Sequence, residues 1–199
     1  MDAVGRRLGT LHTWWHGDAL PAVAPPDGFL VDESDQHEVL ARMAQLPIAE
    51  VLARIERNNR PYVAKIGDES VAYGWSAAGP AEIDTILRFD VPEGERYLWD
   101  FVTLPGWRRL GIYPALLQEI VRREATAVSR FWVGHDAGNE PSRRGILKAG
   151  FREAGEMRML PDSRLVFMPG DDADRSQAGA VVLGLPLLRH DPPVGARCA

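Results

Sequence analysis

Thr103-Leu104-Pro105-Gly106-Trp107-Arg108-Arg109-Leu110-Gly111-Ile112-Tyr113 carries the end of a predicted strand through a tight loop into the first turn of a helix. A helix N-terminus presents unpaired N–H groups and partial positive charge, so this geometry can hold a pyrophosphate, and Gly111 permits close backbone approach. The helix itself is plain over 112–127, where Leu116, Leu117, Ile120 and Val121 line one face and Gln118, Glu119, Arg122 and Arg123 the other. Charge supports an anion site. Residues 107–148 hold eight Lys or Arg and four acids, a local charge of +4 in a chain of net charge -5, so the remainder sums to -9.

On the N-terminal side of this loop, residues 1–31 contain Trp14, Trp15, Phe29 and a Pro-rich turn over 21–26, which predicts a strand or extended arm followed by a loop. Apolar positions Val39, Leu40, Met43 and Leu46, then Ile48, Val51, Leu52 and Ile55, recur at helical spacing on either side of Pro47, predicting two amphipathic helices. A β-hairpin follows, with strands at 61–66 and 70–76 around Gly67-Asp68. After a Gly79-Pro80 turn comes a strand at 83–89, and Pro92-Glu93-Gly94 leads into a strand over 97–104.

On the C-terminal side the pattern predicts a strand at 128–133, a short helix at 142–149, and strands at 153–160 and 164–168. Pro169-Gly170 and the acidic segment to Gln177 are expected to form a linker, with 178–199 an appended tail beside a main domain over 1–168.

Composition bounds what such a chain can do. With 199 residues, 45% hydrophobic and 26% charged, one globular domain is expected, and the acidic balance argues against a general nucleic-acid binder. The single cysteine, Cys198, allows neither a disulfide framework nor a Cys-based zinc site within the chain, and suits a reducing cytoplasm. The apolar run at 178–188 is broken by Pro186 and shorter than the roughly 20 residues of a membrane span, and the N-terminus lacks the pattern of a secretory signal, so neither membrane nor export is expected.

A second motif stands downstream: Asn139-Glu140-Pro141-Ser142, then Ile146-Leu147-Lys148-Ala149-Gly150-Phe151. Together with Arg108-Arg109-Leu110-Gly111-Ile112-Tyr113, it resembles the GNAT superfamily of N-acetyltransferases, whose motifs are Arg/Gln-x-x-Gly-x-Gly/Ala and Asn-x-x-Ala/Ser followed by Tyr-x-Lys-x-Gly-Phe. The resemblance covers about 30–168, with its strong motifs in 97–151. It implies an α/β fold, a mixed and mostly antiparallel twisted sheet splayed between its fourth and fifth strands and flanked by helices. It also implies acetyl-CoA as co-substrate, with Val102, Thr103 and Leu104 meeting the pantetheine arm, Arg109 to Pro114 (Arg109, Leu110, Gly111, Ile112, Tyr113, Pro114) surrounding the pyrophosphate, and Asn139 and Ser142 facing the cofactor. Pro114 has no N–H, so the useful donors are those of 109–113. Homodimerisation is a family-level expectation.

Direct acetyl transfer to an amine needs a base, and Asp100 on the strand feeding the loop and His135 after the next strand are the candidates. Each has a plainer alternative: Asp100 pairing with an Arg, His135 bonding to backbone. Two departures from the family pattern stand out. Tyr113 replaces the last Gly of the first motif, and Ile146 replaces the usual proton-donating Tyr, leaving Tyr73, Tyr97, Tyr113 or water as the donor, among which spacing does not choose. Trp75, Trp99, Trp107 and Trp132 could line an acceptor pocket, or simply pack in the core. His12 and His16 have the i, i+4 spacing of helical metal ligands but no evident third ligand, so no metal is expected. Acetylation of a small-molecule amine, with a protein amine as the second choice, is the preferred function. A noncatalytic acyl-CoA sensor is the alternative, and an unrelated α/β protein with a structural turn at Gly111 the third.

Overall fold

The computed structural model describes residues 5–188. Eight strands form one twisted sheet in the order β10-β9-β1-β8-β7-β4-β3-β2, antiparallel throughout except where β7 lies parallel to β8. The strands are β1 (Arg6–Trp15), β2 (Phe29–Glu33), β3 (Asn59–Ile66), β4 (Glu69–Ala77), β7 (Glu95–Thr103), β8 (Arg130–Asp136), β9 (Arg152–Met159) and β10 (Leu165–Pro169). A separate hairpin is made by β5 (Gly79–Ile83) and β6 (Leu87–Val91). The mixed, mostly antiparallel α/β architecture is the one expected.

Alternation along the strands sorts side chains to two faces. Leu98, Phe131 and Val133 face a core completed by α3 (Ile112–Glu124) and α4 (Glu140–Lys148). Their neighbours Tyr97 and Trp132, which are register partners, face the opposite core, shared with the β5–β6 hairpin and α5 (Ala173–Leu183). On that same side Tyr73 and Trp75 pack against α1 (His37–Ala44) and α2 (Ile48–Glu56).

Three elements differ from the sequence expectation. First, 83–89 is not one strand: Asp84 adopts a left-handed φ of 49°, the Ile86 N–H closes a turn onto Ile83 O (3.2 Å), and the chain doubles back, so that 79–83 is strand rather than turn. Second, the segment expected as a linker starts α5. Its acidic run supplies the cap, with the Asp172 side chain accepting from the Arg175 N–H (3.1 Å), and Gly184 (φ 63°) ends the helix. Arg175 is buried over the Trp15 ring and paired with Asp18 (2.8 Å), which fastens the helix to β1. Cys198 and the rest of 189–199 lie outside the described residues. Third, the segment expected as a strand or extended arm is the strand β1, placed centrally between β8 and β9 and buried on both faces from Gly9 to Trp14, so His12 sits in a strand and not on a helix with His16.

Helix α3 is pinned at its far end by one buried carboxylate. Glu124 accepts from Tyr62 Oη (3.0 Å) and Arg96 Nε (2.7 Å), with Arg60 at 3.6 Å, tying the helix to β3 and β7. An acid at a helix C-terminus opposes the helix dipole, and the two guanidinium groups offset that. Glu124→Ala is expected to lower stability by about 3 kcal/mol by removing a buried ion pair, against about 1 kcal/mol for Tyr62→Phe; urea unfolding of both variants measures the difference.

Candidate active site: a cleft through the splayed sheet

The parallel pairing of β7 and β8 runs only from Glu95–Arg130 to Leu98–Val133. Beyond Leu98, β7 bulges: Trp99 is opposite Trp75 and Val102 opposite Tyr73, so one extra residue is inserted, and Asp100 takes a left-handed φ of 50°. The ring of Phe101 crosses Gly74 so closely that a Cβ there would stand 2.1 Å from it, which only glycine allows. The bent β7 swings away from β8 and opens a cleft of about 1200 Å³.

At one end of the cleft is the loop before α3. A single 3-10 turn, Pro105–Trp107, is followed by Arg109 and Gly111 in left-handed conformations (φ 67° and 78°). These reversals present the N–H groups of Arg109, Leu110, Gly111, Ile112 and Tyr113 in succession, and none has an acceptor among the described residues. Trp107 Nε1 donates to Glu69 Oε1 (2.9 Å) and Arg108 Nε to Thr103 O (3.0 Å), fixing the loop. Arg108, Arg109, Arg144 and Lys148 line this end, and among the described residues none is ion-paired. Five free amides, a helix N-terminus and four free cations fit the diphosphate of CoA.

Of the residues named from sequence, Val102, Thr103, Arg109, Gly111, Ile112, Tyr113, Pro114, Asn139 and Ser142 all line the cleft. Leu104 and Leu110 do not: the Leu104 N–H is bound to Val71 O (2.9 Å), and the Leu110 side chain is exposed. Asn139 caps α4, its Oδ1 accepting from the Ser142 N–H (3.2 Å). The two departures from the motif pattern are connected through α4. Ile146 is buried in the core, while the Tyr113 ring lies against Gly145, where a Cβ would be 2.4 Å away. Its hydroxyl is 3.4 Å from Ser142 Oγ, and burial pushes its pKa up to about 12.

The other end is built differently. Arg54 of α2 reaches Asp100 Oδ2 (2.5 Å) and lies over the rings of Trp99 (4.6 Å) and Trp75 (5.2 Å). Tyr73 Oη is 3.5 Å from the other Asp100 oxygen, and burial followed by the Asp100 charge pushes its pKa up. Trp99 and Trp107 line the cleft, whereas Trp75 and Trp132 are core residues. His135 is 7% exposed; its Nδ1 is 2.9 Å from the Asp136 carbonyl, which can only accept, so neutral His135 carries its proton on Nδ1 and a lone pair on Nε2. The Nε2 atom has no partner among the described residues. Next to it, ring centroid to centroid 5.2 Å, stands His12, whose pKa is pushed down to about 3 by burial, then by the nearby His135 and Arg143 charges. Tyr97, also raised by burial, is the one of the three candidate tyrosines whose hydroxyl has no hydrogen-bond partner among the described residues. Arg54, Arg144 and Asp84 also line the cleft but belong to no local motif; they come together only through the fold. Among the described residues there is no cluster of three metal-ligating side chains, and no helix is long and apolar enough to cross a membrane.

Residues 13–151 match the family model described as the acetyltransferase (GNAT) family. No curated protein sequence matches the chain. Among solved structures, the chain is similar to a GNAT-family acetyltransferase from Colwellia psychrerythraea (15% identity, TM-score 0.54, covering 75% of this chain and 53% of that one). It is also similar to a GCN5-related N-acetyltransferase from Kribbella flavida (16% identity, TM-score 0.51, covering 73% and 54%). A third likeness is to the aminoglycoside acetyltransferase AAC(6')-Ib in complex with coenzyme A (17% identity, TM-score 0.52, covering 70% and 92%). The chain thus spans about half the length of the first two.

Gly111→Val places a branched side chain at φ 78° with its Cβ about 3.2 Å from Ala24 O, and should weaken CoA binding at least about tenfold while the protein stays folded, as read by calorimetric titration alongside circular dichroism. His12 gives a pH test. Its folded pKa lies below its unfolded value of 6.5, so the unfolded chain takes the proton first and stability falls as pH drops through 6.5 towards 3. The slope is about 1 kcal/mol per pH unit, and it should be shallower in His12→Gln, measured by denaturant unfolding across that range.

Proposed function

The chain belongs to the acetyltransferase (GNAT) family, and we propose from that premise that it transfers the acetyl group of acetyl-CoA to the nitrogen of a small-molecule amine. The observation that carries this reading is the run of five unclaimed amides at the N-terminus of α3, four of them on residues that line the cleft, Arg109, Gly111, Ile112 and Tyr113. Acetyl-CoA supplies an activated acetyl group: the amide C–N bond forms, the thioester C–S bond breaks, and the proton lost by the amine balances the one gained by CoA.

The residues divide the remaining tasks. The amides of 109–113, aided by Arg109, Arg144 and Lys148, hold the diphosphate, and the cleft-facing edge of β7 at Val102 and Thr103 guides the pantetheine arm. Asp100, its carboxylate engaged by Arg54 and Tyr73, shapes the acceptor wall with Arg54 and Trp99. His135, whose buried Nε2 has no partner among the described residues, takes the proton of the amine once the acceptor reaches it. Tyr97, with an unclaimed hydroxyl kept neutral by burial, supplies a proton to the leaving sulfur. A small acceptor is favoured by the likeness to AAC(6')-Ib, solved with ribostamycin and coenzyme A. The lone cysteine supports a reducing cytoplasm as the compartment.

Acetyl-CoA titration followed by thiol release against a panel of small amines tests this reading. Acceptor-dependent release is expected, with His135→Gln lowering kcat about 100-fold or more and Asp100→Asn acting mainly through KM. Binding without release across the panel would make the protein a sensor of acyl-CoA instead.

A further inference from the structure

The central placement of β1 leaves its connection to β2 a long way to run, because β2 is the far edge strand of the sheet, beyond β8, β7, β4 and β3. The chain makes that crossing over α3 and α4 as an irregular strap, residues 18–26, with no helix or strand of its own. Pro21, Pro25 and Pro26 stiffen it. Both ends are tied. Asp18 accepts from the Trp15 N–H and from Arg175 (2.8 Å each), and the Phe29 N–H donates to Pro26 O (3.2 Å).

The strap meets the helices at two left-handed glycines. A Cβ on Gly150 (φ 98°), just after α4, would stand 2.7 Å from both Ala19 O and Pro21 Cδ. One on Gly111 (φ 78°), in the middle of the amide run before α3, would stand 3.2 Å from Ala24 O and 3.9 Å from Val23 Cγ1. Between these points Gln118 of α3 is the latch. It is 1% exposed, its Nε2 donates to Pro21 O (2.8 Å) and to Ala149 O at the end of α4 (3.1 Å), and its Oε1 accepts from Arg122 (3.0 Å). A buried amide left without partners is costly, so these bonds hold the strap on the helices. The loop needs such support: five successive amides without acceptors give it no backbone bonds of its own, and Trp107 and Arg108 fix only its entry.

We propose that the strap is the outer support of the diphosphate loop and that Gln118 is a positioning residue for CoA, acting through Pro21 and Ala24 without touching the cofactor. The proposal rests on the reading that the amides of 109–113 hold the diphosphate. No strap residue lines the cleft, so the contribution is to the shape of the loop. Apparent affinity scales with the fraction of molecules in which the amides are already aligned, and a strap seated against Gly111 raises that fraction. Its prolines lose little freedom on being ordered, which makes the support inexpensive to hold in place.

Two variants loosen the strap without altering a residue that lines the cleft. The double variant Pro25→Gly, Pro26→Gly keeps every backbone carbonyl and frees the chain beside Ala24; Gln118→Glu keeps an acceptor for Arg122 and removes the donor to Pro21 O and Ala149 O. In calorimetric titration with CoA both should bind about 5- to 20-fold more weakly than the wild type. Acetyl-CoA-dependent thiol release should show the loss in KM, with kcat at saturation within about twofold. Hydrogen exchange should quicken at the amides of 109–113 and keep wild-type rates in the C-terminal half of α3. Pro25→Ala, Pro26→Ala, less flexible than the glycine pair, should recover part of the affinity. Wild-type CoA affinity in the glycine pair, whatever Gln118→Glu does, would overturn the proposal while leaving the diphosphate site intact. A loss that extends to exchange throughout α3 is a general loosening and would overturn it as well. A wild-type protein that binds no CoA would refute the diphosphate reading and the proposal with it.

Discussion

The site exists because the pairing of β7 with β8 stops at Leu98–Val133. Two parallel strands that continued together would satisfy each other's backbone groups and leave no gap; here one inserted residue, the left-handed Asp100, turns β7 aside. Three side chains keep it turned. Gly74 yields the space that the Phe101 ring occupies, Arg54 anchors the Asp100 carboxylate, and Trp75 and Trp99 hold Arg54. The strain of a non-glycine residue at positive φ is thus sustained by an ion pair and a stacked guanidinium.

Once the sheet is open, its two faces present different chemistry to one slot. The α3 face offers amide donors and cations, the hairpin face carboxylates and the Tyr97 hydroxyl. Helix α3 stays in place because Glu124 fastens its C-terminal end to β3 and β7 while its N-terminus remains unpaired. Central placement of β1 brings His12, kept neutral by burial, beside the His135 ring.

Sequence alone made the loop and its helix legible, because Gly111 and the apolar stripe of α3 are local signals of capping and periodicity. The second motif added the α4 cap at Asn139. What escaped was either ambiguous in composition or non-local. The acidic run at 171–174 has the composition of a linker, yet it serves as the N-cap and first turn of α5; the turn at Asp84 lacks Gly or Pro, so a strand seemed to run through it. The pairing of Asp100 with Arg54, 46 residues apart, depends on the closed fold, and no spacing rule encodes it. The exchange of Tyr for Ile at 146 was visible, but its counterpart, a Tyr113 ring seated on Gly145, needed the packing of α3 on α4.

A 15N NMR titration of the protein with acetyl-CoA tests whether the splayed sheet receives CoA through the unpaired amides ahead of α3. The amides of Arg109, Leu110, Gly111, Ile112 and Tyr113 are expected to move together to lower field and to gain protection from hydrogen exchange, as donors to an anion do. Shifts confined to other parts of the molecule with this run unmoved, or no shifts at all, would contradict it.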